Sequence, residues 1–254
     1  MMSVGEGANV RQVAYRAEPA RKPHAPGLFW LAGYMSDMAS TKATALAAYA
    51  RENGLAFTGF DYSGVGRSGG DVMAGTLGRW LEEAEAAFTQ LTHGPQIIVG
   101  SSMGGYIALL LLRRLMSKHP EHAARIRGLV LIAPAWDMTE ELMWKNAPPE
   151  ARRELEANGV YLEPTPYGEP YRITRALIED GRQHLIGGAP FDPRHPVVIL
   201  QGLLDADVPA SHARELTRIL TGGHVRFIEI ADGEHRLSRP QDLAQLYAAI
   251  QSLL

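Results

Sequence analysis

The stretch Pro95-Gln96-Ile97-Ile98-Val99-Gly100-Ser101-Ser102-Met103-Gly104-Gly105-Tyr106 sets a β-branched apolar run before Gly-Ser-Ser-Met-Gly and a second apolar run, to Met116, after it. That order reads as strand, sharp turn, helix, with a serine at the apex. Gly100-x-Ser102-x-Gly104 is the nucleophile-elbow pattern, in which small residues two positions either side of a strained residue let strand and helix approach closely. Ser102 is thereby pushed out above the sheet edge. The same turn sets the Met103 backbone N–H at the first turn of a helix. Unpaired donors and the positive end of the helix dipole can hold a developing oxyanion there.

A serine nucleophile needs an acid and a histidine further along, in that order, each at a strand end. Val197-Val198-Ile199-Leu200 reads as a buried strand leading to Gly202-Leu203-Leu204-Asp205-Ala206-Asp207-Val208-Pro209, and Val225 to Ile230 as the last strand, leading to Asp232-Gly233-Glu234-His235. His235 is one of nine histidines. It alone lies in a glycine-containing turn directly after the last strand, from which an imidazole reaches Ser102 as general base. Asp205 and Asp207 compete for the role of orienting acid. The spacing Gly202-x-x-Asp205 favours Asp205, with Asp207 as an N-cap for a helix opening near Pro209.

Gly27 to Gly33 is a short apolar run that reads as a buried strand, and at its end the Tyr34 N–H can complete an oxyanion hole beside Met103. Strands at about 55–60, 97–100 and 129–133 alternate with amphipathic helices, as Leu77, Trp80, Leu81, Ala84, Ala87, Phe88 and Leu91 illustrate. This alternation implies an α/β fold: a mostly parallel sheet with helices on both faces and ligands at the carboxyl ends of the strands. Pro134 to Pro193 carries no comparable strand and is rich in aromatic and methionine side chains, including Tyr161, Tyr167 and Tyr171. About 136–192 therefore reads as a small helical cap inserted in a single domain of 254 residues. Trp136, Met138, Leu142, Met143 and Trp144 cluster after the 129–133 strand and are candidates to bind an apolar acyl group, or equally to pack the cap onto the core.

Composition narrows the chemistry. The net charge of −3, with 25 scattered basic residues, offers no stripe for a phosphate backbone, so no nucleic-acid partner is expected. Zero cysteines removes disulfide scaffolds, thiol nucleophiles and thiolate metal sites, and fits a reducing compartment. His119-x-x-His122 lacks a third ligand and reads as a helix exit rather than a metal pair. The Asp61 to Gly70 glycine run lacks the lysine of a nucleotide-binding loop and reads as a structural turn. The first residues lack a signal-peptide pattern, and no apolar run approaches the roughly 18 residues that span a membrane. A cytoplasmic enzyme acting on a small-molecule or acylated substrate, without cofactor or metal, is the expectation.

Through Gly100-Ser101-Ser102-Met103-Gly104, Gly202 to Pro209 and Asp232-Gly233-Glu234-His235, the sequence resembles the α/β-hydrolase fold family over nearly its whole length. Gly33-Tyr34-Met35-Ser36-Asp37-Met38, Asp61-Tyr62-Ser63-Gly64 and His235-Arg236-Leu237 are similar to a narrower group. It contains the mitochondrial acyl-glucuronide esterase also described as a palmitoyl-protein thioesterase, and bacterial relatives. The resemblance implies cofactor-free hydrolysis of acyl esters or thioesters with Ser102, Asp205 and His235 as triad. Two departures concern loop positioning: Ala32-Gly33 and Gln201-Gly202 stand where His-Gly is common in the wider family. A carbon–carbon bond hydrolase or serine peptidase using the same triad stays open, as does, from another class, a non-catalytic protein that binds a small apolar ligand.

Overall fold

The computed structural model describes residues 1–166 and 168–254; Tyr167 lies outside the described residues. Apolar runs without alternation become strands buried on both faces: β4 (Gly27–Leu31), β6 (Gln96–Ser101) and β10 (Val197–Gly202) are buried throughout, and β7 (Ile126–Ile132) nearly so. Before them come β1 (Met2–Val4) and β2 (Arg11–Val13), which form a small antiparallel pair, and β3 (Tyr15–Glu18). With β5 (Ala56–Phe60) and β11 (Val225–Ile230), the main sheet has seven strands in the order β11-β10-β7-β6-β4-β5-β3. All neighbours are parallel except β3, which runs antiparallel along β5. The expected mostly parallel α/β sheet is what forms.

Strand order reverses between β4 and β6, because β5 follows β4 on one side while β6 and β7 extend the other. In open α/β sheets such a switch point leaves a crevice beyond the carboxyl ends of the strands. Leu31 pairs with Gly100, and Ser101 with Ile132, so the loop after β4 and the elbow after β6 emerge at one level. Gly202 pairs with Ile230 at the far edge, bringing the two later loops out together.

The covering helices follow their apolar periodicity. They are α1 (Thr41–Asn53), α2 (Leu77–Leu91), α3 (Met103–Lys118), the short α4 (Pro120–Ala123), α5 (Pro149–Asn158), α6 (Arg175–Gly181), α7 (Ala210–Ile219) and α8 (Pro240–Gln251). Thr76 caps α2 by accepting from the Arg79 N–H, and Gly54 ends α1 in the left-handed region at φ 73°. Most of α3 is buried, with Met103 to Leu112 enclosed.

Between β7 and β10 the expected helix-prone segment also contains strands. Alongside α5, α6 and a wide π-type turn at Thr139–Trp144, two strands appear, β8 (Val160–Glu163) and β9 (Tyr171–Thr174), paired as an antiparallel hairpin with Val160 opposite Thr174. Each strand has only four residues, and Pro164, Pro166 and Pro170 interrupt the sequence between them. An alternation so short carries almost no signal in sequence. The segment has its own small apolar cluster of Leu155, Ile173 and Ile178, against which Met143, Trp144 and Tyr161 pack.

Candidate active site

Ser102 sits between β6 and α3 at φ 54° and ψ −119°, a left-handed conformation that a non-glycine residue holds only when its surroundings enforce it. Both elbow glycines are explained by backbone proximity. A Cβ on Gly100 would collide with the carbonyl of Gly104, and one on Gly104 with the carbonyl of Leu31 at the end of β4. Both obstacles are main chain and cannot swing aside. Gly33 lies against the elbow, where an added Cβ would be 3.5 Å from Ser102 Cβ. The Tyr34 N–H therefore belongs to the loop lying directly beside Ser102, and Met103 opens α3 with an N–H that has no partner within the helix.

The acid and the histidine reach the serine from the far side of the sheet. A Cβ on Gly202 would strike the carbonyl of Gly233, whose oxygen accepts the Leu204 N–H at 2.9 Å, so the loops after β10 and β11 are held in contact. Asp205 has a fully buried side chain. Its Oδ1 accepts the N–H groups of Asp207 and Val208 at 2.9 and 2.8 Å. Its Oδ2 lies 2.9 Å from His235 Nδ1, and His235 Nε2 lies 3.1 Å from Ser102 Oγ. With the proton on Nδ1 donated to Asp205, Nε2 is free to accept the serine hydroxyl proton. The three residues singled out in sequence thus form one continuous hydrogen-bonded line.

Asp207 does not hold the N-cap position of α7. Pro209 occupies the N-cap of α7, and no side-chain cap bond is made there. Asp207 is exposed on the cleft, its carboxylate grouped with Asp205 and His235 within 4.8 Å. These three are the one group with metal-ligand spacing among the described residues. Both His235 nitrogens are already engaged by Asp205 and Ser102, so a cation would have to break that line.

The cleft over Ser102 has a volume of about 790 Å³. Tyr34, Ser102 and His235 line it, with Met138, Leu142 and Met143 on one side and Glu163 and Tyr171 from the β8–β9 hairpin above. Met138, Leu142 and Met143 are spaced by four and five residues, which the wide π-type turn brings to one face. Trp136 and Trp144, also expected to contact substrate, are not among the lining residues. Trp136 is buried, donates its indole N–H to the His212 carbonyl at 2.9 Å and stacks on the His212 ring at 4.4 Å. Trp144 turns away into the cluster of Leu155, Ile173 and Ile178, under the guanidinium groups of Arg152 and Arg182 at 5.3 and 5.1 Å. A buried indole needs a partner for its N–H and packing for its face: Trp136 has both, and the face of Trp144 meets apolar side chains and cations, each off the cleft.

Three supporting residues escaped the sequence reading. Gln201, noted only as a departure from His-Gly, donates through Nε2 to Asp205 Oδ2 at 3.2 Å and to the Val208 carbonyl at 3.0 Å, bracing the acid loop. Asp61 is buried in the glycine-rich loop and accepts the Met38 N–H at 2.7 Å and the Arg67 N–H at 2.9 Å, tying that loop to the one carrying Tyr34. A polar residue beside a glycine-rich turn was the available signal for Asp61. Lys42 also lines the cleft, and burial pulls its amine down to about 8, Arg236 adding to the effect and Asp242 opposing it. Burial, and secondly the charge of Asp207, raises the Glu163 carboxyl.

Residues 29–166, over half the chain, match the family described as serine aminopeptidase, S33. This span includes the elbow and the Tyr34 loop and ends before Asp205 and His235. Over 242 residues the chain is 31% identical to the mitochondrial palmitoyl-protein thioesterase ABHD10 of Bos taurus, covering 92% of this chain and 74% of that protein. The Homo sapiens protein of the same name is 31% identical over 235 residues, with the same coverage. A crystal structure from Agrobacterium vitis S4 superposes with a TM-score of 0.96 at 42% identity, covering 99% of this chain and 97% of that one. Mouse alpha/beta hydrolase domain-containing protein 10 superposes with a TM-score of 0.84 at 29% identity, with the same coverage. No helix among the described residues is long and apolar enough to cross a membrane. The chain belongs to the serine aminopeptidase S33 family and, with these relatives, to the serine hydrolases of the α/β-hydrolase fold.

Proposed function

We propose that this hydrolase cleaves carboxylic esters or thioesters of apolar acyl groups, with Ser102 as nucleophile, His235 as general base and Asp205 as its orienting acid. The observation that carries the reading is the line Asp205–His235–Ser102 at 2.9 and 3.1 Å, ending on a strained serine at the cleft. His235 Nε2 takes the hydroxyl proton as Ser102 Oγ attacks the acyl carbonyl carbon. The oxyanion is held by the N–H groups of Met103 and Tyr34, and His235 returns its proton to the departing alkoxide or thiolate. Water, deprotonated by the same imidazole, then attacks the acyl-enzyme and frees the acid. Asp205 keeps the ring in its productive tautomer and stabilises the imidazolium.

In this reading 136–192 is a cap within a single domain, and Met138, Leu142 and Met143 form the acyl wall. The relatives' name, palmitoyl-protein thioesterase, supports an acylated substrate of this kind. No cofactor is invoked. The zero cysteines support a reducing compartment, for which we take the cytoplasm, although the mammalian relatives are named mitochondrial. A second reading, an aminopeptidase on the same triad, is favoured by Glu163 and Asp207, whose carboxylates in the cleft could hold a substrate ammonium group. Matched p-nitrophenyl esters, S-acyl thioesters and aminoacyl p-nitroanilides, followed to product by mass spectrometry, separate the two. Turnover confined to the anilides would replace the first reading with the second.

A further inference from the structure

Lys42 is the second residue of α1, yet its amine turns inward. It donates to the main-chain carbonyl of Arg236 and, at 3.3 Å, to Ser238 Oγ, which itself donates to that carbonyl at 2.9 Å. Two donors therefore converge on the carbonyl of the residue that follows His235. The turn they grip is strained, since Leu237 between them is a non-glycine residue at φ 42°, with its side chain buried against Gly233. A lysine that served only to balance charge would stay in water, because burying an ammonium group is unfavourable unless its hydrogen bonds are met in place. Here they are met by the turn that aims the imidazole. The contact also spans the site, because α1 follows the Tyr34 loop while Arg236 follows β11.

We propose that Lys42 is a positioning residue, clamping the turn after His235 so that Nε2 stays on the Ser102 hydroxyl. The proposal rests on the reading of His235 as general base. It has a consequence in pH, because an ammonium donor grips a carbonyl more strongly than a neutral amine does. The lowered position of the Lys42 amine, about 8, puts the weakening of the clamp within reach of an ordinary assay. The charged groups facing it are Arg236 on the clamped turn and Asp242 on α8, the latter bound to Arg239. Arginine and aspartate side chains do not ordinarily change charge between about pH 6 and 10.

The test measures phosphonylation by a fluorophosphonate, with kcat and KM for p-nitrophenyl butyrate, over about pH 6 to 10 in wild type, Lys42→Met, Lys42→Arg and His235→Ala. Wild type should lose rate severalfold above about pH 8. Lys42→Met should lower kcat by about 10- to 100-fold with KM within about twofold, and should lack the alkaline fall. Lys42→Arg, charged throughout, should recover most of the rate and keep the alkaline side flat. A Lys42→Met enzyme with wild-type rates and profile overturns the proposal, as does a loss confined to KM, which would make Lys42 a substrate contact. If Lys42→Met fails to fold, an alkaline fall retained in Lys42→Arg overturns it instead. His235→Ala separates the two levels: rapid labelling of that variant removes the base itself, whereas a dead His235→Ala beside an unaffected Lys42→Met removes only the clamp.

Discussion

Tyr34 donates its phenolic hydroxyl to the main-chain carbonyl of Arg172 in β9 at 2.7 Å, across 138 residues of sequence. Its ring meets Trp80 and Tyr171 edge-on at 5.9 and 5.4 Å. The residue whose N–H we assign to the oxyanion hole is thus anchored by its side chain to the hairpin over the cleft. Tyr34→Phe keeps the N–H and loses the tether. Stability should fall by about 0.5 to 1.5 kcal/mol in a urea titration. Hydrolysis of p-nitrophenyl acetate should stay within about threefold of wild type. A loss of orders of magnitude in kcat would place the phenol in the chemistry.

Asp205 and Asp207 are two residues apart and are expected to behave quite differently. Asp205→Asn presents an amide where His235 Nδ1 and two backbone N–H groups need a carboxylate, and turnover should fall by roughly 10³- to 10⁴-fold through the wrong imidazole tautomer. Asp207→Asn keeps the His235–Ser102 line intact, so turnover of p-nitrophenyl acetate should stay within about tenfold of wild type. Its effect should appear on Glu163. Burial keeps that carboxyl raised, but removal of the Asp207 charge should lower its titration midpoint, as followed by NMR. An Asp207→Asn enzyme that is inactive beside an active Asp205→Asn would reverse the assignment.

The placement of Leu142 and Met143 on the cleft, and of Trp144 off it, divides two effects that the sequence had joined. Each buried acyl methylene contributes about 0.8 kcal/mol, so kcat/KM should rise about three- to fourfold per carbon until the cleft is full. Leu142→Ala should flatten that dependence for matched p-nitrophenyl esters. Trp144→Ala should leave the slope intact and lower the melting temperature, because it empties the small cluster around Leu155, Ile173 and Ile178. A slope abolished by Trp144→Ala and untouched by Leu142→Ala would contradict this arrangement.

The sheet and the three-residue line were legible because their signals are local. Gly100, Ser102 and Gly104 lie within five residues, and strands buried on both faces read as unbroken apolar runs. Asp205 follows such a run, and His235 follows the alternating edge strand β11. The cleft wall was only partly legible. Met138 and Leu142 are four residues apart, as on one face of any helix, but Met143 joins them through the π-type winding, which an ordinary helical spacing does not announce. The β8–β9 hairpin was too short to register. Lys42 and Gln201 were out of reach for a different reason. Their roles depend on carbonyls and carboxylates supplied by loops, and Lys42 meets Arg236 across 194 positions of sequence. Nothing in either residue's neighbours announces such a partner.

The proposed hydrolysis passes through a covalent acyl-enzyme on Ser102. Wild type, Ser102→Ala and Ser101→Ala should be rapidly quenched during turnover of a p-nitrophenyl ester, digested and mapped by mass spectrometry, with folding checked by circular dichroism. An acyl group is expected on Ser102 in wild type and in Ser101→Ala. A folded Ser102→Ala should carry no adduct and lose at least about 10⁴-fold in kcat. An acyl group on another residue, or a folded Ser102→Ala that turns over ester at the wild-type rate, would contradict this route.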